Sequence, residues 1–383
     1  MLSSEPVSSS VSHESSVSTV LSTNPTTLPP YREVSGVVLA LDVMGGDLAP
    51  RAGIEGAFKA LSLYPQLHLL MVATASAWQD VLAHSKYPLY QARLTWIEAT
   101  EVIGMDEHPV ETFKRKKNAS MRLAAQLVKQ KKASGFVSAG NTGAVLASAL
   151  FDTGRLPSVK KPALSVMMPY HQKQTLLLDA GANAECKLEH LIQFAHIGTV
   201  FMRHVKGIQN PTVGLLNIGT EAMKGNALAQ EAYKVFETLE GITFKGNVEG
   251  KDIFSGKVDV VVTDGFSGNI SLKSAEGMGK LIETLLKHEA RKGLLRQLGA
   301  VLLKPALRAM MKRVRPDEFG GALMLGIDGV CIKAHGNSNP HAIFNAIRVA
   351  LEASEQEITE KIREVLSEES QERAVPPSAP SVS

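Results

Sequence analysis

VVLALDVMGGD, residues 37–47, is the segment that best indicates the architecture of this chain. An apolar run typical of a fully buried strand ends abruptly in a loop of Gly and Asp, and Pro50 then suits the first turn of a helix. The same pattern recurs four times, at 136–144, 175–183, 213–221 and 258–269. Strands and helices that alternate over about 330 residues predict an α/β fold with a mostly parallel sheet and right-handed crossovers.

Further elements follow from apolar periodicity and from the positions of Gly and Pro. Helix 119–132 has an i, i+3, i+4, i+7 apolar face that starts at Met121. Residues 322–336 predict two strands around a tight turn, and 340–366 predict a closing helix. The other predicted strands are 67–73, 93–98, 163–168, 175–179, 213–217 and 258–263, and the other predicted helices are 50–63, 187–206, 225–238 and 269–292.

The composition is that of a globular protein. Its 383 residues, 44% hydrophobic and 21% charged, are enough for one large domain or two smaller ones. A formal net charge of +3 argues only weakly about partners, and no nucleic-acid partner is predicted. Cys186 and Cys331 are too few for a disulfide framework and lack metal-ligand spacing, which favours a reducing compartment. We expect neither a metal site nor a cofactor.

The two ends of the chain differ from its middle. Residues 1–34 are rich in Ser, Thr and Pro and lack the features of a secretory signal, so they predict a disordered extension, with a plastid-type transit peptide as the alternative. The tail 367–383 has a similar composition, and 35–366 is predicted to form the α/β domain. Because no apolar run of about 18 residues occurs, no membrane-spanning helix is expected. A cytoplasmic location is predicted, in line with the reducing compartment that the cysteine content favours.

Segment 291–315, RKGLLRQLGAVLLKPALRAMMKRVR, mixes apolar with basic residues and contains no acid. Gly299 and Pro305 interrupt it, so two short helices or a hairpin are predicted rather than one rod. We interpret it as a basic amphipathic insertion that lies on a membrane surface, with Leu and Met in the headgroup boundary and Lys and Arg against anionic lipid. A buried helix pair in a dimer is the alternative. The residues assigned to this surface are Arg296, Leu302, Leu303, Arg308 and Lys312.

The first loop lets the backbone approach a ligand at Gly45 and Gly46. It is not a GxGxxG pattern, and the chain contains no Gly-x-x-x-x-Gly-Lys-Ser/Thr sequence, so NAD and P-loop ATP chemistry are disfavoured. A carboxylate such as that of Asp42 would repel phosphate, so it has to hold loop N–H groups, accept a proton or share a cation. A tight turn in which Asp47 helps to cap the next helix is the structural alternative.

Two further loops are the strongest candidates for an anion cradle, SAGNTGA at 138–144 and DGFSGN at 264–269. Each places Gly and polar donors at the start of a helix, where N–H groups and the helix dipole favour negative charge. We expect all the Gly-rich loops to gather at the carboxyl ends of the parallel strands. The predicted phosphate- and substrate-binding residues are Asp42, Gly45, Gly46, Asp47, Ser138, Asn141, Thr142, Gly143, Asn183, Asn217, Gly219, Glu221, Lys224, Asp264, Gly265, Ser267, Gly268 and Asn269.

Candidates for catalysis are few. His335 stands at a strand end before Gly336 and could be an acid/base group or an oxyanion donor. Lys273 follows DGFSGN and could contact a phosphate as a point charge, or be a solvated helix lysine. No Gly-x-Ser-x-Gly elbow and no Cys–His pairing is evident, so covalent catalysis has no visible nucleophile. The basic run at 114–117, with Lys116 and Lys117, could meet a phosphate or an acidic partner, or form a solvated face.

Seven of these segments, in chain order, resemble the motifs of the bacterial phosphate acyltransferase family of phospholipid synthesis. They are LALDVMGGD, KRKKNASM, SAGNTGA, LDAGAN, LLNIGTE, DGFSGN and KAHG, spread over residues 37–350. The resemblance implies transfer of an acyl group from acyl carrier protein to inorganic phosphate. It also implies a three-layer Rossmann-like fold akin to phosphate acetyltransferases and isocitrate dehydrogenases, a homodimer and peripheral membrane association. The downstream glycerol-3-phosphate acyltransferase is a further expected partner, and the basic segment 291–315 could attract acyl carrier protein, which is acidic.

The chemistry agrees with this resemblance. Phosphate is already an anionic nucleophile and a thiolate is a good leaving group, so positioning and oxyanion donors could provide most of the acceleration. Our hypothesis is that SAGNTG and DGFSGN hold phosphate and the thioester carbonyl, assisted by Lys273 or His335. The alternatives are a short-chain phosphate acetyl- or butyryltransferase that uses acyl-CoA, a decarboxylating NAD-dependent dehydrogenase, and a non-enzymatic membrane scaffold.

Overall fold

The computed structural model describes residues 31–170, 173–314 and 316–372. Of the predicted disordered segments 1–34 and 367–383, residues 1–30 and 373–383 lie outside the described residues, as do the side chains of Arg308 and Lys312. Both boundaries of the folded part differ from the predicted ones. Tyr31–Glu33 form a helical turn whose first amide donates to the carbonyl of Lys131 at 2.8 Å, and the last helix runs to Glu372.

The described strands form one sheet of eleven, in the order β3-β2-β1-β4-β11-β10-β5-β6-β9-β7-β8. The strands are β1 (Val37–Asp42), β2 (Leu67–Ala73), β3 (Leu94–Glu98), β4 (Gly135–Ser138), β5 (Ala163–Tyr170), β6 (Lys173–Leu178), β7 (Thr212–Leu216), β8 (Thr243–Val248), β9 (Val260–Val262), β10 (Ala322–Leu325) and β11 (Val330–Lys333). Most pairs are parallel, as predicted, and only the three pairs in the middle of the sheet are antiparallel. Strand β8 was not predicted.

Helices connect these strands. They are α1 (Arg51–Leu63), α2 (Ala75–Ala83), α3 (Tyr87–Tyr90), α4 (Pro109–Arg115), α5 (Ser120–Lys129), α6 (Thr142–Ala147), α7 (Leu188–His204), α8 (Ala227–Phe236), α9 (Gly265–Ala290), α10 (Leu294–Val314), α11 (Pro316–Phe319), α12 (Pro340–Glu355) and α13 (Ile358–Glu372). A π-helical stretch, Ser148–Thr153, continues α6.

Strand β1 shows how the sheet is covered on both faces. Leu39 and Leu41 pack into a core with α1, α7 and α12, whereas Val38 and Ala40 pack into a second core with α5. Because side chains alternate along a strand, this division means that helices cover both faces. Further along the sheet, α9 packs on the same face as α5, where Leu272 adjoins Leu177 and Val261. The three-layer α/β prediction is confirmed.

The antiparallel pairs in the middle of the sheet divide it into two halves. Strand β10 runs opposite to both β11 and β5, and β6 runs opposite to β5. Strands β1, β4 and β11 therefore end at one edge of the sheet, called here the β1 edge. Strands β6, β7 and β9 end at the other, called the β9 edge. The prediction that all Gly-rich loops gather at one edge is wrong, because two tight hairpins reverse the chain direction.

Three predicted helices differ from the observed ones. Helix α9 begins at Gly265 instead of 269, because the Asp264 side chain caps it by accepting the amide of Ser267 at 2.7 Å. The predicted closing helix is two helices, α12 and α13, separated at Glu357, whose φ is 50°. Helix α10 continues through Pro305, whereas two short helices or a hairpin were predicted. A proline removes one backbone donor, and the helical turns on either side stay intact here.

Candidate active site

The first two loops of the β1 edge are tied together by Asp42. Its buried carboxylate accepts the Ser138 hydroxyl at 2.6 Å and the Met44 amide at 3.2 Å. Burial raises the pKa of this carboxyl, and hydrogen bonds from Ser120 and Ser138 oppose the increase. A Cβ on Gly45 would lie 2.6 Å from the Asp42 carboxylate and 2.7 Å from the amide of Gly140, so only glycine fits there. Asp42 and Ser138 therefore hold the loops from within rather than facing a ligand.

The loop after β11 joins the same cluster. The amide of Asp47 donates to the carbonyl of Gly336 at 2.8 Å, and Gly46, at φ 96°, lies against that carbonyl. The amide of Ala334 donates to the carbonyl of Ser138 at 2.9 Å. The structure thus brings together the predicted loops 42–47, 138–143 and 335–336.

Asn141 determines how α6 starts. Its side-chain oxygen accepts the Ala144 amide at 3.2 Å, and its amide nitrogen donates to the carbonyls of Met105 and Glu107. As the first residues of the helix, Thr142 and Gly143 have amides without an intrahelical acceptor. Asn141 is therefore a cap, and the helix start that it shapes can receive an anion.

Three basic side chains converge beside these loops. Lys333 ends β11 in register with Ser138, and its ammonium donates to the carbonyl of Ala334 at 2.5 Å. Burial and repulsion from Lys273 lower the pKa of Lys333 to about 8, and Asp47 opposes the decrease. Burial, Lys273 and Lys333 also lower the pKa of His335. Because the charge of Lys273 lowers the pKa of both Lys333 and His335, these side chains lie in a site of positive potential that an anion would relieve.

Lys273 reaches this cluster from the other half of the sheet. Helix α9 starts at the β9 edge, and eight residues later it has advanced about 12 Å, which is enough to cross back to the β1 edge. Its ammonium pairs with Glu276 at 2.7 Å and is half exposed. Lys333 was not predicted as a site residue, although it begins the KAHG motif. It lies two residues before His335 and therefore on the same face of the strand end, and this spacing could have identified it.

At the β9 edge the loop after β6 is organised around the side chain of Asp179. The buried Asp179 carboxylate accepts the amides of Leu164, Gly181, Ala182 and Asn183 at 2.8–3.0 Å. The Asn183 side chain donates to the same carboxylate at 2.8 Å. These donors are therefore not available to a phosphate.

The DGFSGN loop packs directly on the Asp179 loop. The amide of Gly265 donates to the carbonyl of Asn183 at 2.8 Å, and a Cβ on Gly268 would collide with the carbonyl of Asp179. Gly181 approaches Asn269. Asn183 and residues 264–269 are thus placed together in a packed junction at the β9 edge.

The loop after β7 also lies at the β9 edge. Asn217 donates to the carbonyl of Lys224 at 3.0 Å, and the carbonyl of Glu221 accepts from the buried Asn247 at 2.8 Å. Gly219 has Glu221 and Lys224 as its neighbours. The structure does not bring this predicted group to the basic cluster.

The residues predicted to meet a partner or a membrane have different surroundings. The ammonium of Lys116 pairs with Glu107 at 2.7 Å and donates to the carbonyl of Val102 at 2.6 Å, so its hydrogen bonds are made within its own part of the chain. Lys117 is exposed. Leu302 and Leu303 are 73% and 58% exposed on α10, and Arg296 pairs with Glu289 at 2.7 Å.

Helices α9 and α10, joined at Gly293, contact each other and form what is called here the α9–α10 arm. Large apolar side chains are exposed along it: Met278, Leu281, Ile282, Leu285, Leu295, Leu298 and Val301. Among the residues that the structure describes, no helix combines the length and the hydropathy that a bilayer crossing requires.

Comparison with known proteins places the chain in a family. Residues 37–361 match the family model described as "Fatty acid synthesis protein". The phosphate acyltransferase of Halothermothrix orenii is 43% identical over 332 residues, which are 86% of this chain and 99% of that protein. The phosphate acyltransferase of Fervidobacterium nodosum is 46% identical over 332 residues, or 86% of this chain and 98% of that protein.

Solved structures show the same fold at low identity. A phosphotransacetylase from Streptococcus pyogenes has a TM-score of 0.55 at 14% identity and covers 84% of this chain and 94% of its own. One from Staphylococcus aureus has a TM-score of 0.54 at 15% identity, with 83% and 94% covered. The predicted relation to phosphate acetyltransferase folds is confirmed. From the matched residues and these identities, the chain belongs to the phosphate acyltransferase family and is an acyltransferase.

Proposed function

We propose that the protein transfers a fatty acyl group from acyl carrier protein to inorganic phosphate, and that the β1 edge is its active site. The observation that carries this assignment is the convergence of Lys333, Lys273 and His335 on the loops after β1, β4 and β11. The relatives are named phosphate acyltransferases, so phosphate is the anion that we propose for this site. Lys333 and Lys273, which come from different halves of the sheet, would both contact one phosphate.

The reaction needs no nucleophilic side chain. A phosphate oxygen attacks the thioester carbonyl carbon, the new C–O bond forms, the C–S bond breaks, and the sulfur leaves as a thiolate that takes a proton from solvent. Lys333 and the amides of Thr142 and Gly143 hold the phosphate beside the carbonyl. The pKa of His335 is lowered, so its imidazole is neutral at pH 7. The N–H group that a neutral imidazole keeps donates a hydrogen bond to the developing oxyanion.

The proposed donor is acyl carrier protein rather than coenzyme A. The α9–α10 arm supports this assignment because it exposes the basic side chains of Lys287, Lys292 and Arg296, and its helix α9 also carries Lys273. An acidic protein would be attracted to such a surface. The test incubates pure protein with phosphate and either acyl carrier protein or acyl-CoA as the thioester, and traps acyl phosphate with hydroxylamine. Turnover with acyl-CoA alone would favour the short-chain acetyl- or butyryltransferase instead.

The same arm supports a peripheral membrane role. Leu302 and Leu303 are exposed beside basic residues, the composition of an interfacial helix. We expect the protein to float with vesicles that contain anionic lipid, and the double variant Leu302→Gln and Leu303→Gln to remain in the lower fraction. Equal flotation of both proteins would exclude insertion through these residues. In this proposal the protein is cytoplasmic and binds the membrane reversibly.

Two partner proteins complete the proposal. The remaining apolar side chains of the arm, such as Leu285 and Leu298, would be covered by a second copy in a homodimer, which light scattering would detect as twice the chain mass. An acyl phosphate reacts readily with water, so the downstream glycerol-3-phosphate acyltransferase is proposed as the enzyme that receives it for glycerophospholipid synthesis. The test compares how much of that enzyme is recovered in complex with the wild-type protein and with the double variant Leu302→Gln and Leu303→Gln.

A further inference from the structure

A cavity of about 200 Å³ lies on the face of the sheet opposite Lys333. Met167 and Leu323 form part of its wall, and both face the core beneath α7 and α12. Met168 and Met324, one residue further along each strand, face the other side. Lys333 lies two residues after Cys331, which also faces that other side. The sheet therefore separates the cavity from the proposed active site.

The cavity is lined by apolar and polar side chains in similar measure, and Ser165 and Gln174 are among the polar ones. Phe201, Val205 and Val349 join Met167 and Leu323 in lining it. Lys206 and Arg348 stand at its rim, and their side chains are 25% and 35% exposed. A ligand with an apolar chain and an anionic end matches such a lining, because the apolar side chains can contact the chain and the two cations can bind the anionic end.

The two rim cations share one carboxylate. Glu352 lies 3.4 Å from the ammonium of Lys206 and 3.6 Å from the guanidinium of Arg348. A charge-assisted hydrogen bond is about 2.7–2.9 Å long, so neither cation is closely paired. Glu318 is the other acid at the rim, and its carboxylate engages His341 at 3.1 Å. An additional anion at the rim would therefore find two cations that Glu352 only partly satisfies.

We propose that this cavity binds a small amphipathic carboxylate, with its carboxylate on Lys206 and Arg348 and its chain against Phe201 and Val205. Because a cavity of about 150 Å³ holds benzene, one of the present size holds a chain of about eight carbons. The guanidinium of Arg348 is oriented for this contact by the side chain of Asn345, which accepts its Nε–H at 3.3 Å.

The test is calorimetric titration of the full-length protein with octanoate. Octanoate is expected to bind, while octan-1-ol, which lacks the charge, and butyrate, which lacks most of the chain, bind more weakly. The double variant Lys206→Gln and Arg348→Gln should lose at least about tenfold in affinity, because two charge-assisted hydrogen bonds disappear. Lys234→Gln, at an exposed lysine of α8, is the matched control and should bind as the wild type does.

Competition by phosphate and the activity of the double variant provide two further tests of the cavity. Excess inorganic phosphate should not displace octanoate, because the sheet lies between this cavity and Lys333. Displacement by phosphate, no binding at millimolar concentrations, or equal binding by the double variant would each overturn the proposal. Acyl phosphate formation by the double variant should remain at the wild-type rate, so failure here is distinguishable from failure of the proposed reaction.

Discussion

Replacing Lys333 with Met should raise the stability of the protein and remove most of its activity. The fall in the pKa of this ammonium from 10.5 to about 8 corresponds, at 1.36 kcal/mol per pH unit, to about 3 kcal/mol by which the fold disfavours its charge. Partial exposure reduces this figure, so we expect the Met variant to gain about 1–2 kcal/mol in the free energy of unfolding at neutral pH. Met has a similar length and needs no solvation.

The pH dependence of stability has a definite sign. Between pH 8 and 10.5 the unfolded chain binds a proton at Lys333 that the folded chain has lost. Wild-type stability should therefore rise with pH across this window, relative to the Met variant, because the unfolded state binds more protons. Urea unfolding of both proteins at the two ends of the window measures the difference.

The activity should change in the opposite direction. Loss of one preorganised electrostatic donor costs about 10²–10³-fold in rate, and we expect a decrease of that size in kcat/KM for phosphate. In the wild type, kcat/KM for phosphate should also decline above a pH of about 8, as Lys333 loses its proton. Lys333→Arg keeps the charge and should lose that decline; Lys234→Met, at an exposed lysine of α8, is the control.

The hydroxylamine assay with acyl carrier protein as the acyl donor gives these rates. A Met variant that keeps most of the wild-type kcat/KM, or that unfolds more easily than the wild type at neutral pH, would refute the assignment of Lys333. If the alkaline decline persisted unchanged in the Met variant, the group that titrates there would have to be another one.

Three further predictions follow from the division of the sheet. Ser267→Ala should leave kcat and the KM for phosphate unchanged, because Ser267 lies at the β9 edge; a clear rise in that KM would mean that both edges contact phosphate. Asp179→Ala should lower the free energy of unfolding by about 3 kcal/mol or more, since four loop and strand amides lose their acceptor, and a decrease below about 1 kcal/mol in urea titrations would contradict this. Gly45→Ala should impair phosphate binding and lower Tm, because its Cβ meets Asp42 and Gly140; a variant with wild-type KM and melting would show that the loops are not closely packed.

The periodicity of the chain was a reliable guide to local structure. Strand 67–73 and the end of helix α1 were predicted at the observed residues, because a buried strand and an amphipathic helix each leave a pattern in neighbouring positions. The failures have local causes. Asp264 moves the start of α9 by its capping bond, and Glu357 divides the closing helix through an uncommon backbone conformation that a side chain of its type rarely adopts.

Candidate site residues were harder to place than elements. Polar residues at loop positions have the same appearance in a sequence whether they face a ligand or the protein. Asp179 and Asn183 are hydrogen-bonded within their own loop, and Asn141 caps its helix. Lys333 and His335, in contrast, lie near Lys273, whose charge lowers the pKa of both. Which donors are already used depends on atoms far apart in the chain.

The amino-acid sequence alone determined the α/β class, the order of most strands and helices, the Gly-rich loops and the family resemblance, since these depend on short-range patterns and ordered motifs. The tertiary structure alone decided that the loops divide between two edges, because strand direction reverses through the β10–β11 and β5–β6 hairpins in the middle of the sheet. It also decided that Lys273 joins Lys333 and His335, because a helix that starts at one edge is long enough to reach the other. Proximity across the sheet is a property of strand order and direction, which residue spacing does not record.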